Sequence, residues 1–459
     1  MLWIHLKTSR IAAWARARRN RLRDVMVGAK SDRPLSASKA RAIIRHHDPA
    51  HYTPSHGVPV DSRGQAYPTL IKEASGARIR DPEGNEWIDY VMGWGSALLG
   101  YAHPRIRRAI AESLDCGAIL SLPHILEPEV VRLLVASIPC AEMALFGKNG
   151  SDVCTAAVRA ARLTTGRRVI LFSGYHGWHE PFASIFEPAL ADPLQPAAVH
   201  RFPANDLEAL IRLVAEHDGR IAAIMLEPAA QIEGVDGPVR DADTPFLHRV
   251  AEICRQQGAV LIFDEIMTGF RHPSGSVQKA TGVVPDLACF GKALSSGMPL
   301  SVLLGKREVM ETTLSRLFYH PTFKGDAYSF AAAVAALKFY REEDVPARIA
   351  RFGDALRAGV DGISAELDVA GRLIGSAYRM VYRFEETDPQ RLTLLRTLLQ
   401  QELLRRGILT FRGFMLPSLA HGEAELEQTL VAFRASLARV GEVAAANAFA
   451  RELELPLIT

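Results

Sequence analysis

Five short apolar runs constrain this chain more than any other feature. They are Met143-Ala144-Leu145-Phe146, Val169-Ile170-Leu171-Phe172, Ile221-Ala222-Ala223-Ile224-Met225-Leu226, Val260-Leu261-Ile262-Phe263 and Leu287-Ala288-Cys289-Phe290. Helical stretches separate them between about Val131 and Leu304. A strand without polar alternation offers no face to water, so it needs cover on both sides. Such runs alternating with helices predict an α/β fold with a mostly parallel central sheet between helices. Sheets of this kind bind ligands at the carboxyl ends of their strands. Chemistry is therefore to be sought in the residues that follow each run.

Composition narrows the class. With 48% hydrophobic and 23% charged residues among 459, the chain is globular. No apolar run approaches the ~18 residues of a membrane-spanning helix. Five cysteines, far apart and without a CxxC pair, fit neither a disulfide scaffold nor a zinc ribbon. They fit a reducing compartment, so a cytoplasmic protein is expected. The net charge of +3 conceals a division. Residues 1–50 hold twelve Lys and Arg against three Asp, a local +9, which leaves −6 for the rest. An acidic body argues against nucleic-acid binding. The basic head reads as an extension packing on a partner subunit, with membrane-surface contact or organelle targeting as alternatives. Ala77 to Tyr90 reads as strand, turn, strand, with Asp81 to Asn85 as the turn, and Pro104 to Asp115 as a helix. After about Ala331 the chain is helix-rich, with a strand near Tyr378–Phe384.

Four strand ends carry functional residue types. Leu145-Phe146 leads into Gly147-Lys148-Asn149-Gly150-Ser151-Asp152 and then a helical stretch closed by Gly166. A small-residue turn at a helix start presents backbone N–H groups to a phosphate, and the Ser151 hydroxyl adds a donor; a plain capping turn reads the same. Ser173-Gly174-Tyr175-His176-Gly177-Trp178-His179-Glu180 puts aromatics between glycines, where a flat ring can lie close to backbone. His176 and His179 lack a third metal ligand at helical spacing, so no metal is expected. Asp264 and Glu265 end a buried run, where a carboxylate needs a cation or donors to meet it; helix capping is the bland alternative. Lys292 directly follows Phe290-Gly291, a place where burial lowers an amine's pKa and frees it as a nucleophile. Alone, it reads as an ordinary snorkelling lysine. No GxGxxG or GxSxG element stands in a matching context. A phosphate cradle, a stacking aromatic, a buried aspartate and a lysine are together the parts that hold pyridoxal 5′-phosphate (PLP).

From about Gly57 to Leu430 the sequence resembles the class III PLP-dependent aminotransferases of fold type I, closest in pattern to glutamate-1-semialdehyde aminomutase and its relatives. The most specific part is Asp264-Glu265-Ile266-Met267-Thr268-Gly269-Phe270-Arg271 with Gly291-Lys292, where Lys292 lies 28 residues after Asp264. The resemblance implies that Lys292 is the Schiff-base lysine and Asp264 the partner of the pyridine nitrogen. Tyr175 would stack on the ring with His176 beside it. Gly150 and Ser151 would hold the phosphate, and Thr322 would reach the phosphate of the neighbouring subunit of a homodimer. Glu227, in Glu227-Pro228, matches the family's strand-end Glu-Pro, with Gln231 as the candidate contact to the phenolic oxygen. Trp94 and Ser96 fall in the substrate-proximal segment; Arg63 and Arg412 are further substrate candidates.

Departures from the family pattern bear on the reaction. Lys148-Asn149-Gly150-Ser151-Asp152 replaces the usual Asn-Ser-Gly-Thr-Glu. With Phe323-Lys324-Gly325-Asp326 it resembles a branch linked to glycan or nucleotide-sugar amination. Thr410-Phe411-Arg412-Gly413-Phe414-Met415 lacks the acid that the aminomutase carries there. This favours transamination between a small-molecule amino donor and an aldehyde or ketone acceptor, with intramolecular aminomutation as the alternative. The expected organisation is a basic extension (1–55), the N-terminal part of a small α+β domain (56–115), a large PLP-binding domain (116–330) and the C-terminal part of the small domain (331–459).

Overall fold

In a computed structural model of the chain, the described residues are 71–179, 182, 198–229, 231–232, 239–240, 243–453 and 457. The basic extension and Arg63 lie outside them. The apolar runs are strands. β1 (Met143–Gly147), β2 (Val169–Ser173), β3 (Val199–Arg201), β4 (Ile221–Leu226), β5 (Val260–Asp264), β6 (Leu287–Phe290) and β7 (Ser301–Gly305) form one seven-stranded sheet. Its order is β1-β7-β6-β5-β4-β2-β3. Pairing is parallel from β6 through β5, β4 and β2 to β3. Only β7 runs antiparallel, to β6 on one side and β1 on the other.

Period-two geometry splits each run between the two faces of the sheet. Leu171, Ile224, Leu261, Phe263, Phe290 and Val302 join one core. Ile170, Phe172, Met225, Ile262, Cys289 and Leu303 join the other. That second face receives helix α1 (Gly150–Thr165) through Ala156, Ala157, Ala160 and Ala161, small side chains that let the helix lie close to the strands. Gly166, with φ of +67°, ends α1 in the left-handed conformation that an L side chain resists.

Beyond the sheet come helices α2 (Ala327–Glu343) and α3 (Val345–Glu366), the hairpin β8 (Gly371–Ser376) with β9 (Arg379–Phe384), and helices α4 (Pro389–Arg405) and α5 (Glu423–Ala445). A third core unites Val360, Met380, Tyr382, Leu398 and Phe433 with Ile88 and Tyr90 from early in the chain. Ile88 and Asp89 also pair in parallel with Ile408 and Leu409. The described residues fall into two compact units. The small one comprises 71–73 and 80–86, where the Asp81 carboxylate accepts the Glu83 and Asn85 amides at 2.9 Å each and so forms the turn. The large one holds 74–79 and everything from Trp87 onward. Among the described residues no helix is long and apolar enough to cross a membrane.

Several elements differ from expectation. α1 begins at Gly150 rather than Val153, because the Asp152 carboxylate takes the backbone N–H groups of Lys148 and Asn149 and so starts the helix one turn earlier. Strands β3, β7 and β8 lie outside the expected runs; β7 is set by pairing on both edges, with Ser301 opposite Gly147 and Val302 opposite Phe290.

Candidate active site

Lys292 sits where β6 ends. Gly291 continues the extended backbone, then Lys292 turns to φ of +43° and opens a short 3-10 turn to Ser295. A left-handed non-glycine residue costs about 1–2 kcal/mol, and neighbours hold this one in place. Leu294 N donates to Gly291 O at 2.8 Å, and the Tyr340 hydroxyl donates to Ala293 O at 2.6 Å. Among the described residues the Lys292 ammonium has no hydrogen-bond or ion-pair partner. Its pKa falls to about 8. Burial is the main cause; the Arg379 cation adds to it, and Glu227 and Asp264 oppose it.

Asp264 ends β5 opposite Cys289 of β6, one strand away from the lysine turn. It is buried and met by three donors. Its Oδ2 faces His176 Nδ1 at 2.7 Å and accepts from Cys154 Sγ at 3.6 Å, while Oδ1 accepts from Ile266 N at 3.0 Å. The other ring nitrogen of His176, Nε2, lies 3.0 Å from Ser173 O. Both ring nitrogens of His176 face oxygen atoms, which fixes the ring's orientation. His176 thus buttresses the carboxylate from behind. His179 turns elsewhere, to Thr155 Oγ1 at 3.3 Å.

The helix start at Gly150 is tight. A Cβ on Gly150 would come within 2.6 Å of Ile266 Cδ1. Gly177, at φ of +100°, lets its backbone pass directly over Ser151, whose Oγ accepts Trp178 N at 3.3 Å. First-turn N–H groups have no partner within a helix, and the helix dipole favours an anion beside them. Tyr175 leaves 63% of its surface open, and burial, followed by Cys154 and then Asp264, raises its pKa.

Glu227 follows β4 and is buried against Arg379 of β9, which donates to its Oε1. Burial raises the Glu227 pKa against the pull of Arg379. Sequence reasoning missed Arg379. Arg271 is wholly buried and, among the described residues, has no carboxylate partner; it donates to Gly95 O at 2.7 Å and Pro417 O at 3.0 Å, and burial brings its pKa down to about 10. It anchors the segment Met92–Gly95, whose four residues have φ of +50°, +57°, +56° and +82°. Trp94 from this segment stands edge-on to Phe411, ring centres 4.7 Å apart, and the Arg412 guanidinium lies 5.4 Å from the same ring. The fold thus brings Trp94 and Arg412 to one aromatic. The Ser96 hydroxyl instead donates to Gly93 O at 2.8 Å. Thr322 stands on an exposed loop. The Gln231 backbone pairs with Arg240 in a two-residue ribbon, and its side chain lies outside what is described. Among the described residues no three His, Cys, Asp or Glu side chains form a metal-sized cluster.

An unpartnered amine of lowered pKa, one strand from a buttressed carboxylate and near an anion-ready helix start, fits PLP: carbonyl carbon, pyridine nitrogen and phosphate each find a complementary group. A strand-end lysine and aspartate on a sheet of this order define a PLP-dependent transferase of fold type I. The chain belongs to the class-III aminotransferase family, whose family model matches residues 60–435. It is 33% identical over 394 residues to a glutamate-1-semialdehyde 2,1-aminomutase of Roseiflexus castenholzii, covering 80% of this chain and 89% of that one. It is 30% identical over 384 residues to a 3-aminobutyryl-CoA aminotransferase of Cloacimonas acidaminovorans, covering 82% and 90%. Among solved structures it resembles the FumI protein of Sphingopyxis sp. MTA144 in its PLP form, with a TM-score of 0.80, 26% identity and coverage of 89% and 97%. The protein is a PLP-dependent aminotransferase acting on small molecules.

Proposed function

We propose that this enzyme carries an amino group from a small amino donor to an aldehyde or ketone acceptor, with Lys292 as the catalytic amine and Asp264 as its electronic partner. The carrying observation is the lowered pKa of an unpartnered Lys292 one strand from Asp264. PLP, when bound, supplies an electron-withdrawing ring that accepts the electron pair left at the substrate carbon. Lys292 Nζ, free at neutral pH more often than an ordinary lysine, gives way to the donor amine, then takes the proton from the substrate carbon and would deliver it to the cofactor's former carbonyl carbon. Asp264 holds the pyridine nitrogen protonated, and His176 fixes the Asp264 carboxylate. Tyr175 covers one ring face. Gly150 and Ser151 would hold the phosphate, and Thr322 would reach the phosphate of the neighbouring subunit. Gln231 is the candidate contact to the phenolic oxygen, and Glu227, tied to Arg379, lines the site. Trp94, Ser96 and Arg412 are assigned to the substrate side; Arg63, the further candidate from the sequence, lies outside the described residues. Each half-reaction exchanges one C–N bond for one C=O bond, with water as the oxygen carrier.

The homodimer is supported by exposed large apolar side chains, two of them (Phe318 and Phe323) close to Thr322 in sequence. Phe318, Phe323, Leu122 and Ile125 are 78%, 60%, 78% and 81% exposed, the kind of bare apolar surface that a partner subunit covers. Five free thiols, four of them buried, support a reducing, cytoplasmic setting. The likeness to a 3-aminobutyryl-CoA aminotransferase supports a substrate whose amino group is not on the α-carbon; glycan or nucleotide-sugar carbonyls are further acceptors consistent with the Lys148 and Asp326 motifs. Aminomutation remains the second reading, favoured by the identity to the aminomutases. The acid-free stretch from Thr410 to Met415 favours transamination. A donor and acceptor screen, read by the cofactor's visible absorbance, tests the proposal. Lys292→Ala must lose the absorbance band of the lysine-bound cofactor; a band that persists refutes the assignment. Turnover of a single amino-carbonyl compound with no second substrate would replace transamination by aminomutation.

A further inference from the structure

Two sequence departures that the reaction does not use meet in space. Lys148 replaces the family's Asn ahead of the phosphate turn, and Asp326 closes the Thr322-Phe323-Lys324-Gly325-Asp326 segment. Lys148 Nζ donates to Asp326 Oδ2 at 2.8 Å, with 13% and 12% of the two side chains exposed. It also donates to Pro299 O at 2.8 Å and Ser329 Oγ at 3.1 Å. An ammonium has three donors, and all three are taken. Lys148 therefore has no donor left for a phosphate, although Asn149-Gly150-Ser151 begins at the next residue.

Asp326 is equally committed. Its Oδ1 accepts Tyr328 N at 3.0 Å and so caps α2, while Oδ2 takes Lys148 and the Ser329 hydroxyl. Lys148 thus ties together the phosphate turn, the loop that returns from Lys292 and the base of the loop that carries Thr322.

We propose that the Lys148–Asp326 pair is a positioning device that fixes the Thr322 loop relative to the phosphate turn of its own subunit. Each site's turn and the strap that completes the neighbouring site are then held in one frame. The cross-subunit part rests on the reading of Thr322 given above. An ion pair this sheltered has few competing waters, so removing one partner strands the other.

The test measures the PLP dissociation constant by titrating the apoprotein, with sedimentation to verify the dimer, for Lys148→Met, Lys148→Arg, Asp326→Asn, Thr322→Ala and two double variants. Asparagine retains the cap on α2, which guards against simple misfolding. Lys148→Met and Asp326→Asn each weaken PLP binding about tenfold, a change equivalent to about 1.4 kcal/mol. Their double variant is no weaker than either single variant, and Lys148→Arg recovers most of the loss. Asp326→Asn added to Thr322→Ala costs nothing further, because both act through the same contact. Wild-type affinity in Lys148→Met, or additive losses with Asp326→Asn, overturn the pairing. Additive losses for Thr322→Ala with Asp326→Asn overturn the strap, leaving the pair as a prop of its own turn. A Thr322→Ala protein with unchanged affinity instead refutes the role of Thr322 itself, and Lys148→Met alone then decides the pair.

Discussion

Replacing Arg379 by methionine tests what keeps the Lys292 amine available. Arg379 pushes the Lys292 pKa down more strongly than Glu227 pushes it up. With Arg379 gone, Glu227 has two courses. It stays ionised and raises the lysine pKa, or it takes a proton and drops out of the balance. The lost cation outweighs the lost anion, so the pKa rises either way. A rise of one unit is about 1.4 kcal/mol. From a starting value of about 8, it reduces the free-amine fraction at neutral pH about tenfold. The assay is the rate at which apoprotein captures PLP, followed by visible absorbance across a pH series. Only the unprotonated amine attacks a carbonyl. The parent should therefore show a midpoint near 8. Arg379→Met should show a midpoint about one unit higher, and the two rates should converge at high pH. Convergence separates a charge effect from a damaged site. An unchanged or lowered midpoint refutes the reasoning.

Three further outcomes follow from the geometry. His176→Phe keeps the ring volume but removes the 2.7 Å contact to Asp264; kcat/KM should fall roughly ten- to hundredfold, the worth of one charged hydrogen bond. Gly150→Ala places a methyl 2.6 Å from Ile266 Cδ1; PLP titration should show about tenfold weaker binding or more, and Ile266→Ala in the same chain should recover part of it. Arg271→Met leaves the buried carbonyls of Gly95 and Pro417 without a donor; urea unfolding should show a loss of about 2–4 kcal/mol, with KM raised more than kcat is lowered.

Asp264, Lys292 and the turn at Gly150 were legible because each follows an unbroken apolar run, and the rule that ligands gather at strand carboxyl ends is local in sequence. Arg379 was not. It stands in Tyr378-Arg379-Met380, where an arginine among apolar residues reads as the solvent side of a strand, and its buried partner Glu227 lies 152 residues away in the sequence. The buttressing of Asp264 by His176 was half visible, as a histidine next to the ring-stacking tyrosine; its direction depends on how β2 and β5 lie across β4. The reversed strand β7 escaped for a similar reason. Ser301-Val302-Leu303-Leu304-Gly305 is short, and its direction is chosen by edges that come from far along the chain.

That reversed strand has a consequence for the cofactor. β7 lies between β1, which ends in the proposed phosphate turn, and β6, which ends in the lysine. Two strand spacings, about 9.6 Å, separate those ends. The interval is locked because Ser301, where β7 begins, faces Gly147 across the ladder and sends its hydroxyl to Asn149 O at 2.8 Å. The sheet therefore acts as a gauge of molecular length. An aldehyde without its phosphate arm, or with a longer one, can satisfy one end of the gauge but not both.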